Sequence, residues 1–129
     1  MAGHARYTVV IDACVFYSML QSDAIMSLST RGLFAAKWSV QIENEWIRAL
    51  SEKRPNEIDK INRRRDTMRK VVPDWEVPET AVTRLEPCLK LPDPGDTHVL
   101  AAAIAGHADC IVTANLKDFP SELIDPYGI

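Results

Sequence analysis

Apolar positions along the chain fall into short β-branched runs separated by stretches of helical spacing. Residues 7–11 (YTVVI) form the first run and predict a buried strand, with Asp12 directly after it. Residues 18–31 predict a helix with Gly32 as its stop. A second strand is expected within residues 33–40, centred on 38–40. Ile42, Trp46, Ala49 and Leu50 recur at helical spacing and predict a helix over 41–53, limited by Pro55. Another helix is expected over 56–72, capped by Asn56 or the residue before it and closed by Pro73. Residues 74–77 suggest a third strand, whereas 85–91 fit neither pattern. The turn-rich Leu91-Pro92-Asp93-Pro94-Gly95-Asp96 leads into an alanine-rich helix over 97–105, with Asp96 as its N-cap. Residues 110–113 (CIVT) predict a fourth strand, 115–120 a loop, and 121–129 a short helix or irregular tail.

Strands alternating with helices predict an α/β fold with a parallel sheet of four to five strands flanked by helices. With 129 residues and no repeat, linker or low-complexity segment, residues 1–129 read as one domain. Composition fits this reading, since 47% hydrophobic and 26% charged residues describe a globular chain rather than a disordered one. No apolar run approaches the roughly 20 residues that span a bilayer. The first apolar run is also too short for a secretory signal, so a cytoplasmic protein with no membrane partner is expected. Cys14, Cys88 and Cys110 form no C-x-x-C pair, which argues against a disulfide framework or structural zinc. Cys14 and Cys110 are expected to be small buried hydrophobes, and Trp46 and Trp75 core anchors.

Charge changes the picture more than composition does. From Arg48 to Lys70 there are nine basic and four acidic residues, a local +5; the chain's net charge of −3 leaves −8 elsewhere. That division suits an enzyme that holds phosphates at one place and metal at another, although a solvated helix face would give the same pattern.

Ligands of parallel α/β sheets gather beyond the carboxyl ends of the strands. Asp12 follows the first strand, Asp96 opens a helix, Asn115 and Asp118 follow the fourth strand, and Glu43 and Glu45 sit early in the helix after the second. Converging carboxylates repel, and a hard divalent cation compensates them; oxygen donors without a His or Cys cluster suit Mg²⁺ or Mn²⁺. Each residue also has a plain structural reading: Asp12 as a turn residue, Asp96 as a cap, Glu43 and Glu45 as first-turn acids favoured by the helix dipole. The helical wheel does not choose between Glu43 and Glu45. His98 could approach the site or pack, and His4 and His107 carry no partner motif.

These segments resemble a known family. Val9-Val10-Ile11-Asp12-Ala13-Cys14-Val15 is similar to the opening of PIN domains. Ile42-Glu43-Asn44-Glu45-Trp46 resembles their second motif, in which the ligand Glu directly precedes a large apolar residue; that match selects Glu45. Leu91 to Ala103 resembles the third motif, with Asp96 at the mouth of an alanine-rich helix, and Ala108 to Phe119 the fourth. The resemblance implies a Rossmann-like sheet and a VapC-like toxin ribonuclease that hydrolyses RNA with Mg²⁺ or Mn²⁺. It implies Asp12, Glu45 and Asp96 as metal ligands, and Asn115 at a fourth position where an acid is frequent. Asp118 is a candidate for taking the water proton, Asp93 for a water-bridged contact, and Thr113 for a hydrogen bond to a ligand or to phosphate. Arg63, Arg64, Arg65, Arg69 and Lys70 would hold the RNA backbone. A protein antitoxin and a homodimer are implied partners. Relatives commonly continue past residue 129 into another edge strand, so an exposed sheet edge that favours dimerisation is expected. Two rivals stand beside this reading. One is a catalytically inactive RNA-binding module on the same fold, which Asn115 would suit. The other is a phosphoryl-transfer domain using Asp12 and Lys117, although no second acid stands beside Asp12.

Overall fold

The computed structural model describes residues 6–129. Its centre is β1 (Thr8–Ile11), whose Val9, Val10 and Ile11 are buried. Such burial on both faces is the mark of a parallel sheet with helices on either side. A 3₁₀ turn, Ala13–Tyr17, leads into α1 (Met19–Thr30). Ser18 caps that helix, and Gly32 ends it at φ +80° in a Schellman closure, with Leu33 N–H bonded to the Leu28 carbonyl at 3.3 Å.

β2 (Ala35–Lys37) lies earlier than the sequence suggests, because Ser39 is already the N-cap of α2 (Val40–Lys53). Its hydroxyl accepts the Ile42 N–H at 3.1 Å. After a 3₁₀ turn (Pro55–Glu57) come α3 (Ile58–Val71) and α4 (Glu79–Leu85). Then follow α5 (Thr97–Ala105), β3 (Cys110–Val112) and α6 (Ser121–Ile124).

The sheet has the order β2-β1-β3 and all pairs are parallel. The fold class is therefore as expected, but the strand count is three among the described residues, not four to five. Residues 74–77 reduce to a single parallel bridge, Trp38 to Glu76. Two bonds make it, from Trp38 N–H to the Trp75 carbonyl and from Val77 N–H to the Trp38 carbonyl. The start of α2 at Val40 turns the chain away before the pairing can lengthen. Helix α4 has no strong periodic signature over its seven residues, and it packs against α5.

An aromatic cluster fills the core between β2 and α2. Phe16 meets Trp38 edge-on at 5.9 Å and Trp46 at 5.7 Å, while Trp38 stacks on Trp75 at 5.4 Å. Trp46 and Trp75 are thus core residues, as expected. Buried Ala101, Ala102 and Ala103 let α5 approach the sheet closely. His107 ends α5 at φ 54°, where its neighbour Ala108 N–H closes onto the Ala103 carbonyl at 2.8 Å. His4 lies outside the described residues. Cys14 and Cys110 are only half-buried, and Cys88 is exposed.

Candidate active site

Asp12 leaves the carboxyl end of β1 and is buried. Its amide donates to the Val112 carbonyl at 2.9 Å, which holds the ends of β1 and β3 together. One carboxylate oxygen accepts the Ala13 N–H at 2.8 Å. The other accepts the Thr113 hydroxyl at 2.9 Å and the Cys14 thiol at 3.4 Å. Asn115 joins the same network through its backbone N–H, which donates to Thr113 Oγ1 at 3.0 Å. Cys14 Sγ takes the Ala114 N–H, and burial pushes its thiol pKa up.

Asp96 stands at the N-cap position of α5, but its side chain makes no capping bond. The local capping is done by Asp93, whose carboxylate accepts the Gly95 N–H at 2.8 Å. Asp96 Oδ2 is instead buried with no partner among the described residues. Burial, and after it the nearby charges of Asp12, Asp93, Asp118 and Glu45, push its pKa up from 3.8 to about 6. Asp12, Asp93, Glu45 and Asp118, the last from the 3₁₀ turn Leu116–Asp118, thus lie near enough for their charges to act on Asp96. Tyr17, which the sequence reading passes over, stands at the same place: burial and then the charges of Glu45, Cys14, Asp12 and Asp96 raise its pKa. Its place at the end of the turn that starts after Asp12 is the signal that could have found it.

The structure separates the two glutamates of α2. Glu43 is buried and accepts the Trp38 indole N–H at 3.0 Å and Arg69 Nε at 2.9 Å, with Arg69 Nη2 on its other oxygen. Glu45 is a third exposed and meets His98 Nε2 through Oε1. His98 is buried in α5, and its Nε2 reaches one of the acids, Glu45.

The basic helix α3 is less uniform than its sequence. Arg69 is held by Glu43 and lies 4.6 Å from the Trp75 ring centroid. Arg64 lies 5.9 Å from the Trp46 ring, and burial lowers its pKa. It lines a cavity of about 220 Å³ with Met19 and Asp23 of α1 and Leu50 of α2, away from the acids. Arg63 and Lys70 are exposed, and Arg65 Nε donates to Asp66 at 3.1 Å.

Among the described residues no three Asp, Glu, His or Cys side chains close around one point as a finished metal site. Asp12 and Glu45 have taken donors from the chain. The donor chemistry nonetheless fits a hard divalent cation: it is oxygen-rich, and it includes a buried carboxylate oxygen without a partner among the described residues.

Residues 8–117 match the family model for the PIN domain. The chain belongs to the PIN domain family. A protein of Mycobacterium tuberculosis named "Putative ribonuclease VapC50" is 56% identical to it over 34 residues. That match covers 26% of this chain and only 20% of the relative. No solved structure matches the chain at significance. PIN membership speaks against the phosphoryl-transfer reading, which uses Asp12 and Lys117 and leaves Glu45 and Asp96 without roles. No helix of the described residues is long and apolar enough to cross a membrane.

Proposed function

We propose that this PIN domain is an endoribonuclease that works with Mg²⁺ or Mn²⁺ held by Asp12, Glu45 and Asp96, with Asn115 as a weaker fourth ligand. The observation that carries the reading is Asp96: a carboxylate at a helix mouth that does not cap, keeps a buried oxygen without a partner, and is crowded by four other acids. A divalent ion bound there would supply positive charge against a phosphodiester and acidify water. Asp12 is pre-set for binding by the donors from Ala13 and Thr113, which fix the direction of its remaining lone pairs. Asp118 takes the proton of the attacking water, and Asp93 holds water at the rim. In-line attack at phosphorus breaks the bond to the 3′-oxygen, which takes a proton from solvent and leaves as a 3′-hydroxyl, and the other product carries a 5′-phosphate. Thr113 keeps Asp12 oriented throughout. Arg63, Arg65 and Lys70 on α3 hold the RNA backbone, adding affinity rather than sequence choice. Arg64 and Arg69 are not part of that grip, because Trp46 and the Glu43–Trp75 pair engage them.

The short match to a protein named a putative ribonuclease supports the ribonuclease reading; a toxin of a toxin–antitoxin pair, with a protein antitoxin and a homodimer as partners, is the extension we propose. A second reading, an inactive RNA-binding module, is favoured by Asn115 standing where an acid would add charge. Incubating the purified protein with a mixed RNA pool, with Mn²⁺ or with EDTA, separates the two. The nuclease yields metal-dependent fragments bearing 5′-phosphate ends; the module binds RNA and leaves it intact.

A further inference from the structure

His98 is a costly residue at its position. The turn of α5 after it, Val99, Leu100, Ala101, Ala102 and Ala103, is buried on every side, and His98 itself is 3% exposed. An imidazole there gives up hydration that an apolar side chain would not need. It makes one side-chain hydrogen bond, from Nε2 to Glu45 Oε1, while Nδ1 is buried without a partner among the described residues. Facing a carboxylate, Nε2 carries the proton. A histidine kept for packing would be expected to satisfy its second nitrogen; this one is committed to Glu45 alone.

Glu45 needs such a commitment. It is a long side chain on α2, a third exposed, and a free carboxylate there would sample several rotamers. Oε1 takes the imidazole, and Oε2 has no side-chain or backbone donor among the described residues. The tie also spans two elements, since His98 sits two residues after Asp96 on α5. One contact therefore sets Glu45 and Asp96 relative to each other.

We propose that His98 is a positioning residue that locks Glu45 so that its free oxygen faces the Asp12–Asp96 cluster. The proposal rests on reading those three acids as the cation site. Outer-shell partners of ligating carboxylates influence affinity because they remove the cost of ordering the ligand when the ion arrives.

The test is Mn²⁺ binding by calorimetry, with no RNA present, on wild type, His98→Leu, His98→Gln and His98→Asn, each first shown to melt cooperatively in EDTA. Leu fills the space without a donor. The Gln amide nitrogen reaches the place of Nε2, and the Asn amide stops near the place of Nδ1. The expected result is a loss of about 10- to 100-fold in Mn²⁺ affinity for Leu and Asn, with Gln restoring most of it. In a Glu45→Gln background His98→Leu should add no further loss. Equal affinity of wild type and His98→Leu would overturn the positioning role, as would equal affinity of the Gln and Asn variants should Leu fail to fold. The same holds for a His98→Leu loss that persists undiminished without Glu45. Wild type that binds no Mn²⁺ would overturn the cation site and this proposal together, which keeps the two failures distinct.

Discussion

Glu43 and Glu45 stand two positions apart on one helix, and their sequence surroundings give no physical reason to prefer either. What separates them is long-range: Arg69 and the Trp38 indole close on Glu43, while His98 meets Glu45. Those partners come from α3, from the residue after β2, and from α5, so only a motif match could favour Glu45 from the sequence. The two glutamates should fail differently. Arg69→Leu leaves Glu43 buried with only the indole as a donor, which should cost about 2–4 kcal/mol in urea denaturation. That is near the low end for a broken buried pair because Arg69 is itself partly exposed. Any fold that remains should retain its RNA cleavage. Asp96 gives a pH signature. Its folded pKa of about 6 lies above the ordinary 3.8, so the fold prefers the protonated acid. Its contribution to stability is full below about pH 4 and is lost as pH rises through 6. In EDTA, wild type should melt progressively lower between pH 4.5 and 7.5 relative to Asp96→Asn, and the two should converge at the acid end. An Asp96→Asn variant that melts no higher at pH 7.5 would contradict the crowded, buried carboxylate.

Helices with caps and breakers were legible as elements; short strands were not. Pro55, Gly32 and Ser18 mark their boundaries by local chemistry, and the structure places helix ends within a residue or two of those signals. The strand after α1 lies at Ala35–Lys37 although Trp38 and Val40 are the more strand-like residues by type. The Ser39 cap decides the matter, and its effect on register shows only once α2 exists. Residues 74–77 carry a strand pattern, yet a single bridge is all that the turn into α2 permits. Helix α4 is too short for periodicity to reveal. Because Ser39 both ends the strand segment and starts the helix bearing Glu45, Ser39→Ala should destabilise the protein by about 1 kcal/mol. Chemical denaturation would measure it, and an unchanged midpoint would mean that packing of Ile42 and Trp46 fixes the start of α2 without the cap.

Across the whole molecule, the order of segments was more informative than any one of them. Asp12, Asp96 and Asp118 each have an ordinary turn or cap explanation alone, and their meeting follows from strand order and helix placement. Charge was legible in the same partial way. The excess of basic residues on α3 is real, but Arg69 is engaged by Glu43 and Trp75 and Arg64 lies against Trp46, so the count of charges alone does not give the count of free cations. The division of labour that remains has exposed cations on one helix and converging acids at the edge where β1 and β3 end. The most direct test is cleavage of a mixed RNA pool in Mn²⁺ by wild type and Asp96→Asn at matched folding, with EDTA as the control. Wild type should give fragments that EDTA abolishes, and the variant should lose most of that cleavage, because losing a ligand to the ion also loses the charge and activated water the ion supplies. Cleavage by Asp96→Asn at the wild-type rate, or by wild type in EDTA, would contradict it.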